Sequence, residues 1–143
     1  MQIQEDKEYW ERLSWGSTLS EDFIRKFSDK VYWRFICEFQ ILSEDFIREF
    51  KGKVDWDVVS RYQKLSEDFI EEFSDKVNWY YISTYQKLSK DFIIKFIEKL
   101  NLKQLKNNDK LDEEAKRFVN DHLEKRNDLS YMLKIAGISY KEM

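Results

Sequence analysis

Apolar and polar positions in this chain follow a 23-residue beat. Each unit opens Leu-Ser-Glu-Asp-Phe-Ile, at residues 19–24, 42–47 and 65–70, and in altered form as Leu88-Ser89-Lys90-Asp91-Phe92-Ile93. Trp10, Trp33, Trp56 and Trp79 keep the same interval. A fixed period of this length is the mark of a stacked repeat array. Arrays of this kind present surfaces more often than reaction centres.

Residues 42–64 serve as the type unit. Ser43 suits a helix N-cap, as do Ser20, Ser66 and Ser89, with Asp112 on the next beat. Glu44 and Asp45 then place negative charge where the helix dipole favours it. Phe46 and Phe50 stand four apart with Ile47 beside them, which makes one apolar face on a short helix. Gly52 is expected to close that helix in a left-handed conformation, with Asp29, Asp75 and Glu98 in the same place elsewhere. Asp55, Asn78 and Asn101 are good caps for a second helix, whereas Tyr32 is a poor one. Trp56, Val59 and Tyr62 follow at three-residue spacing, matched by Trp33, Ile36, Phe39 and by Trp79, Ile82, Tyr85, and they read as the apolar stripe of that second helix.

One continuous helix fails this pattern. At about 100° per residue, 23 residues advance about six turns plus about 140°, so the Phe and Trp stripes would wander round the cylinder. Strand alternation is absent too. The expected fold is all-α, a solenoid-like stack of short two-helix repeats in two layers, of nine or ten short helices. Each unit is too short to hold alone and must bury its face on its neighbours.

The ends depart from the beat as array ends should. Residues 1–18 carry only a second-half unit, with Asp6, Lys7, Trp10 and Leu13 in register and the more polar Glu8 and Gly16 at two apolar positions. Residues 19–110 hold the four tandem repeats. In the last of these Leu102 replaces Trp and Asn108 replaces the aromatic. Residues 111–143 read as a C-terminal helical cap. Ala115, Phe118, Val119, His122 and Leu123 lie on a longer amphipathic helix, and a last apolar segment, Leu129, Met132, Leu133, Ile135 and Ala136, stops at Gly137.

The unit Leu-Ser-Glu-Asp-Phe-Ile followed by Val-x-Trp resembles a short tandem repeat in proteins of giant viruses, phages and some AT-rich bacteria. The resemblance covers about residues 5–110 and implies no activity and no functional residues. Usage agrees with an AT-rich source: Pro is absent and Gly occurs three times, while Lys, Ile, Asn, Phe and Tyr are abundant.

Composition narrows the function classes. The chain is 37% charged and 17% aromatic, which fits solvated helices with one apolar face and does not fit disorder. Residues 1–87 carry 13 basic and 18 acidic groups, and residues 88–143 carry 12 and 10. With no strong basic stripe, nucleic-acid binding gets no help from bulk charge. Cys37 is the one cysteine, no apolar run has transmembrane length, and a cytoplasmic setting is the default expectation. No phosphate loop, nucleophile motif or metal-ligand cluster is present, so neither enzyme activity nor a cofactor is expected. His122 reads as a half-buried cap residue and Cys37, in place of Ser60 and Ser83, as a small packing residue.

Positions that vary between repeats carry the functional expectation. Arg34 and Phe35, Asp57 with Arg61, and Tyr80, Tyr81 and Thr84 fall on the second helices beyond the apolar stripe. Arg among aromatics is typical of interface anchors. These seven residues are the candidate partner-binding set. The expected function is a protein-binding repeat module, in the viral or phage reading an inhibitor of a host-defence factor such as a CRISPR nuclease. The alternatives are a nucleic-acid-binding array, through Lys90, Lys95, Lys99, Lys103, Lys106 and Lys110 with Phe92 and Phe96, and a structural protein that self-associates through its ends.

Overall fold

The computed structural model describes residues 6–137. Among them it holds ten helices and no strand: α1 (Lys7–Gly16), α2 (Glu21–Lys26), α3 (Trp33–Phe39), α4 (Glu44–Glu49), α5 (Trp56–Tyr62), α6 (Glu67–Glu72), α7 (Trp79–Tyr85), α8 (Lys90–Lys95), α9 (Leu102–Lys106) and α10 (Glu113–Ile135). The odd-numbered helices stack serially, α1 on α3, α3 on α5, α5 on α7 and α7 on α9, and α10 lies against α8 and α9. The chain is an all-α stack of helix pairs. Nine of these helices are short, and the tenth runs 23 residues.

Local chemistry sets each helix start. The hydroxyls of Ser20, Ser43, Ser66 and Ser89 accept from the N–H groups of Phe23, Phe46, Phe69 and Phe92 at 3.1–3.2 Å. Asp55, Asn78, Asn101 and Asp112 cap α5, α7, α9 and α10 in the same manner, while Tyr32 makes no side-chain cap. The exit from the first helix differs from expectation. Gly52 does not adopt a positive φ; among the described residues only Gly137 does, at 70°. The chain instead stays right-handed, and the carbonyls of Phe27, Phe50, Phe73 and Phe96 each accept two N–H groups from the residues three and four further on. That is why Asp and Glu serve as well as Gly at this place.

The core runs unbroken along the stack. Ile24, Ile47, Ile70 and Ile93 from the first helices meet Ile36, Val59, Ile82 and Leu105 from the second, all at 0% exposure. Each tryptophan packs on the two phenylalanines of the next helix: Trp56 lies 6.2 Å from Phe69 and 4.9 Å from Phe73 between ring centroids. Trp10 is buried, and Trp33, Trp56 and Trp79 are half-buried at the core margin, where their indole N–H groups donate to the carbonyls of Ser28, Lys51 and Ser74.

Three buried glutamines tie the repeats together. Gln63 Oε1 accepts from the Leu42 N–H at 3.1 Å, and its Nε2 donates to the carbonyls of Cys37 and Gln40 at 2.7 Å each. Gln86 repeats this one unit later with Leu65, Ser60 and Gln63, and Gln40 one unit earlier with Leu19, Ser14 and Ser17. Asn108 is not the polar edge residue its replacement of an aromatic suggests. It is buried and ends the series, donating to the carbonyls of Ser83 and Gln86. A second set of bonds spans 18 residues: Ser14, Ser60 and Ser83 accept from the N–H of Tyr32, Asn78 and Asn101 and donate to the tryptophan carbonyl four residues back.

At the surface, Glu21, Glu44 and Glu67 bond the backbone N–H and hydroxyl of Ser43, Ser66 and Ser89 in the next unit. Arg25 bonds Glu49, and Arg48 bonds Glu72. The Arg25 hydrogen bond holds the Glu49 carboxyl below its ordinary value. Its contribution is therefore present above the ordinary carboxylate range and is lost as pH falls through the lowered value. At this exposure the contribution is small.

Two stripes correct the sequence expectation. Phe39 and Tyr62 are 53% and 45% exposed and Tyr85 is half-buried, so the third position of the second-helix stripe is surface and not core. Counting about 100° per residue from Trp, this position falls at about 240°, whereas the isoleucine and glutamine positions fall at about 300° and 340° and take the inside. The last apolar segment, expected to belong to the cap, stops at Gly137 as read but is largely unpacked. α10 runs straight through it, leaving Leu129, Tyr131, Met132 and Ile135 exposed, and residues 138–143 lie outside the described part.

Three outcomes are expected from denaturant unfolding. Gln63→Leu orphans one buried N–H and two buried carbonyls and should cost about 3 kcal/mol or more; a loss below ~1 kcal/mol would show that the rung does not hold the repeats. Trp56→Ala should cost about 3 kcal/mol, and Trp15→Ala, off the beat and 49% exposed, less than ~1 kcal/mol. Equal losses would mean that the tryptophan beat does not mark the core. Gly52→Ala should stabilise by about 0.4–1 kcal/mol, since φ is not positive and a Cβ there meets nothing within 4 Å; destabilisation would restore the left-handed turn.

Candidate functional site

The seven expected partner-binding residues lie on three successive stacked helices. Arg34 and Phe35 are in the first turn of α3, Asp57 and Arg61 on α5, and Tyr80, Tyr81 and Thr84 on α7. Arg34, Asp57, Arg61 and Tyr80 are exposed, and Phe35, Tyr81 and Thr84 are half-buried. Serial stacking of these helices brings the set onto one continuous face. Arg34, Asp57, Arg61 and Tyr81 line one shallow hollow of about 180 Å³ between α3, α5 and α7, with Glu38 and Tyr62 at its walls.

Arg61 organises the centre of this face. Its guanidinium carbon sits 5.0 Å from the ring centre of Tyr62, 5.8 Å from Tyr81 and 5.3 Å from Tyr85. Tyr81 and Tyr85 are four residues apart on one helix, with ring centres 6.2 Å apart, and Tyr80 meets Tyr81 edge to face at 5.6 Å. Phe35 and Phe39 make the equivalent pair on α3 at 6.2 Å. An arginine held among three rings keeps its charge at the surface while losing much of its side-chain freedom. That arrangement reduces the ordering cost of meeting a partner.

Not all seven residues are equally free. Asp57 accepts from the Asn78 side-chain amide at 2.9 Å, and the Thr84 hydroxyl donates to Gln104 Oε1 at 3.1 Å. These two help to hold the repeat interface. Phe39, Tyr62 and Tyr85 belong to the surface and were missed, because regular spacing assigns them to the core. The residue after each is a glutamine in all three repeats, and its regular recurrence was the one available sign that the inward position lies there.

Other candidate chemistry resolves into packing. His122 is half-buried and stacked on Phe118 at 5.7 Å. Cys37 is buried, its sulfur takes the Asp55 N–H in place of the serine hydroxyl, and burial pushes the thiol up to about 12. Among the described residues no group of three or more His, Cys, Asp or Glu could hold a metal ion, and no helix is long and apolar enough to cross a membrane. In the lysine-rich fourth repeat, Lys95 pairs with Glu71 at 2.6 Å and Lys90 lies 3.6 Å from Glu114. Phe92 is buried, and Phe96 is half-buried with one ring face stacked on Trp79.

Comparison with known proteins finds no matching family model, no matching curated protein and no matching solved structure.

The cluster is tested by a double-mutant cycle in denaturant unfolding. Arg61→Ala and Tyr81→Ala should couple by about 0.5–1 kcal/mol, as for a partly exposed cation–π contact. Strict additivity would mean that the arginine is not pre-set among the rings.

Proposed function

We propose that this chain is a non-catalytic protein-binding repeat module that meets its partner through the outer face of α3, α5 and α7. The observation that carries the reading is the arginine of α5 set among Tyr62, Tyr81 and Tyr85 on an open surface. A chain that is 37% charged nevertheless keeps Phe39, Tyr62 and Tyr80 about half exposed on neighbouring helices. Aromatic and arginine side chains dominate binding energy at protein interfaces. Packing inside the repeats does not require these rings, since the core closes beneath them with Ile36, Val59 and Ile82. Under the resemblance to viral and phage repeat proteins, the partner is a host protein, and a defence factor such as a CRISPR nuclease is the specific expectation.

Affinity capture from source cells, with wild type and Tyr80→Ala/Tyr81→Ala compared side by side, tests this reading. Wild type should enrich one dominant protein, and the double variant should bind it at least about 30-fold more weakly, corresponding to about 2 kcal/mol of anchor energy. Unfolding midpoints must match closely for the comparison to count. Undiminished binding by a folded double variant would remove this face as the interface.

A further inference from the structure

A second surface adjoins the aromatic face and has a different character. Where each second helix ends and the chain turns to the next Ser cap, residues 61–67, 86–89, 110 and 112 enclose an open groove of about 790 Å³. Its floor is built from the buried Gln63, Leu65, Gln86 and Leu88. Lys64, Lys87 and Lys110 rise from it at one repeat position, 23 residues apart. All three are exposed, and among the described residues none of their ammonium groups takes part in an ion pair. What sets this row apart is its place, one lysine per repeat along a single groove rim. Arg61 and Tyr62 form the wall shared with the aromatic face.

We propose that this groove holds an extended acidic segment of the partner protein, laid along the stack with carboxylates on Lys64, Lys87 and Lys110. The inference rests on the protein-binding reading above and names the chemistry of what is bound. The register supports it. Packed helices repeat at about 8–10 Å, and an extended chain of the polyproline II kind returns to the same face every three residues, about 9 Å further on, so an acidic residue at every third position matches the lysine row. The groove is apolar at its base and cationic at its rim, which suits a peptide with one acidic and two less polar residues per turn better than a bare polyphosphate. One position earlier in the array the row continues as Ile41, which is 97% exposed. A segment that fits the whole row therefore carries an apolar residue at the end nearest the N-terminal repeats.

The test uses the full chain and a random twelve-residue peptide library displayed on phage, with Lys64→Glu/Lys87→Glu/Lys110→Glu as the comparison variant. These lysines are exposed, and circular dichroism and the unfolding midpoint verify that the variant folds. Wild type should enrich peptides with Asp or Glu at i, i+3 and i+6. A synthetic peptide of that pattern should bind the variant at least tenfold more weakly, and wild-type affinity should fall as salt rises from low to physiological levels. Scrambling the acidic spacing should also weaken binding. Enrichment without acidic residues, or equal binding to wild type and variant, overturns the proposal. So does tighter binding of a single-stranded oligothymidine than of the peptide. If the selected peptides respond to Tyr80→Ala/Tyr81→Ala and not to the lysine variant, the acidic-segment inference fails while the protein-binding reading stands.

Discussion

The buried glutamine is the interaction on which this stack depends. Reversing the chain twice in 23 residues leaves backbone groups of the turns inside the array, where no water reaches them and no regular helix bond can. A primary amide offers one acceptor and two donors on one planar group. Gln63 uses all three on Leu42, Cys37 and Gln40, so one side chain satisfies three backbone groups of the turn that leads out of α3. Because the partners lie 21, 23 and 26 residues back, the bond pattern itself enforces the period. An insertion of one residue between rungs would strand every group at once. Each repeat is thereby tied to its neighbour, and stability is shared along the array in the manner of nearest-neighbour systems.

The termini show what the rung requires. The ninth helix is cut to five residues, and the polar residue comes one position early, as Asn108. Its shorter amide still reaches Ser83 and Gln86, while its oxygen turns to the Lys110 N–H at the entry to the cap. The change from glutamine to asparagine therefore accompanies the change from repeat to cap. α10 then seals α8 and α9 with Ala115 and Val119, and beyond these its surface turns polar or exposed. At the other end α1 meets only α3 among the odd-numbered helices, leaving Trp15 open.

Much of this was legible in the residues. The period, the serine and Asp/Asn helix caps and the two short helices per unit follow from spacing and capping chemistry, and they stand in the structure as read. What spacing could not deliver was direction. Phe39, Tyr62 and Tyr85 repeat as faithfully as Ile36, Val59 and Ile82, and repetition alone does not separate a core residue from a surface one. The separation comes from the neighbouring glutamine, whose polar nature hides its role in the core. Gly52 misled for a related reason. Glycine at a helix end suggests a left-handed turn, but Asp29 and Asp75 at the same place already show that the backbone there suits ordinary residues. The links from Glu21, Glu44 and Glu67 to the next serine were read only as charges near helix starts, since a bond 22 residues long has no signature within one unit.

Once the core is accounted for, the remaining regularities need a separate cause. Caps, isoleucines, glutamines and the Trp–Phe stacks repeat because each has a partner in the next unit. The ring before each glutamine has no partner repeated in every unit, Tyr85 alone meeting the Arg61 guanidinium of the unit before it, and at a solvated helix margin a charged residue would be the default. Yet α3 carries Phe there, and α5 and α7 carry Tyr, with Phe35 and Tyr81 one turn earlier on the same stripe. In the half-unit before them the position is Gly16, and in the unit after them it is taken by the buried Asn108. The rings are thus confined to the middle of the array, where helix stacking places them side by side. Repeat architecture explains why such a row is straight and regular. It does not explain why the row is aromatic or why it is confined to three adjoining helices, and the proposed binding role would account for both.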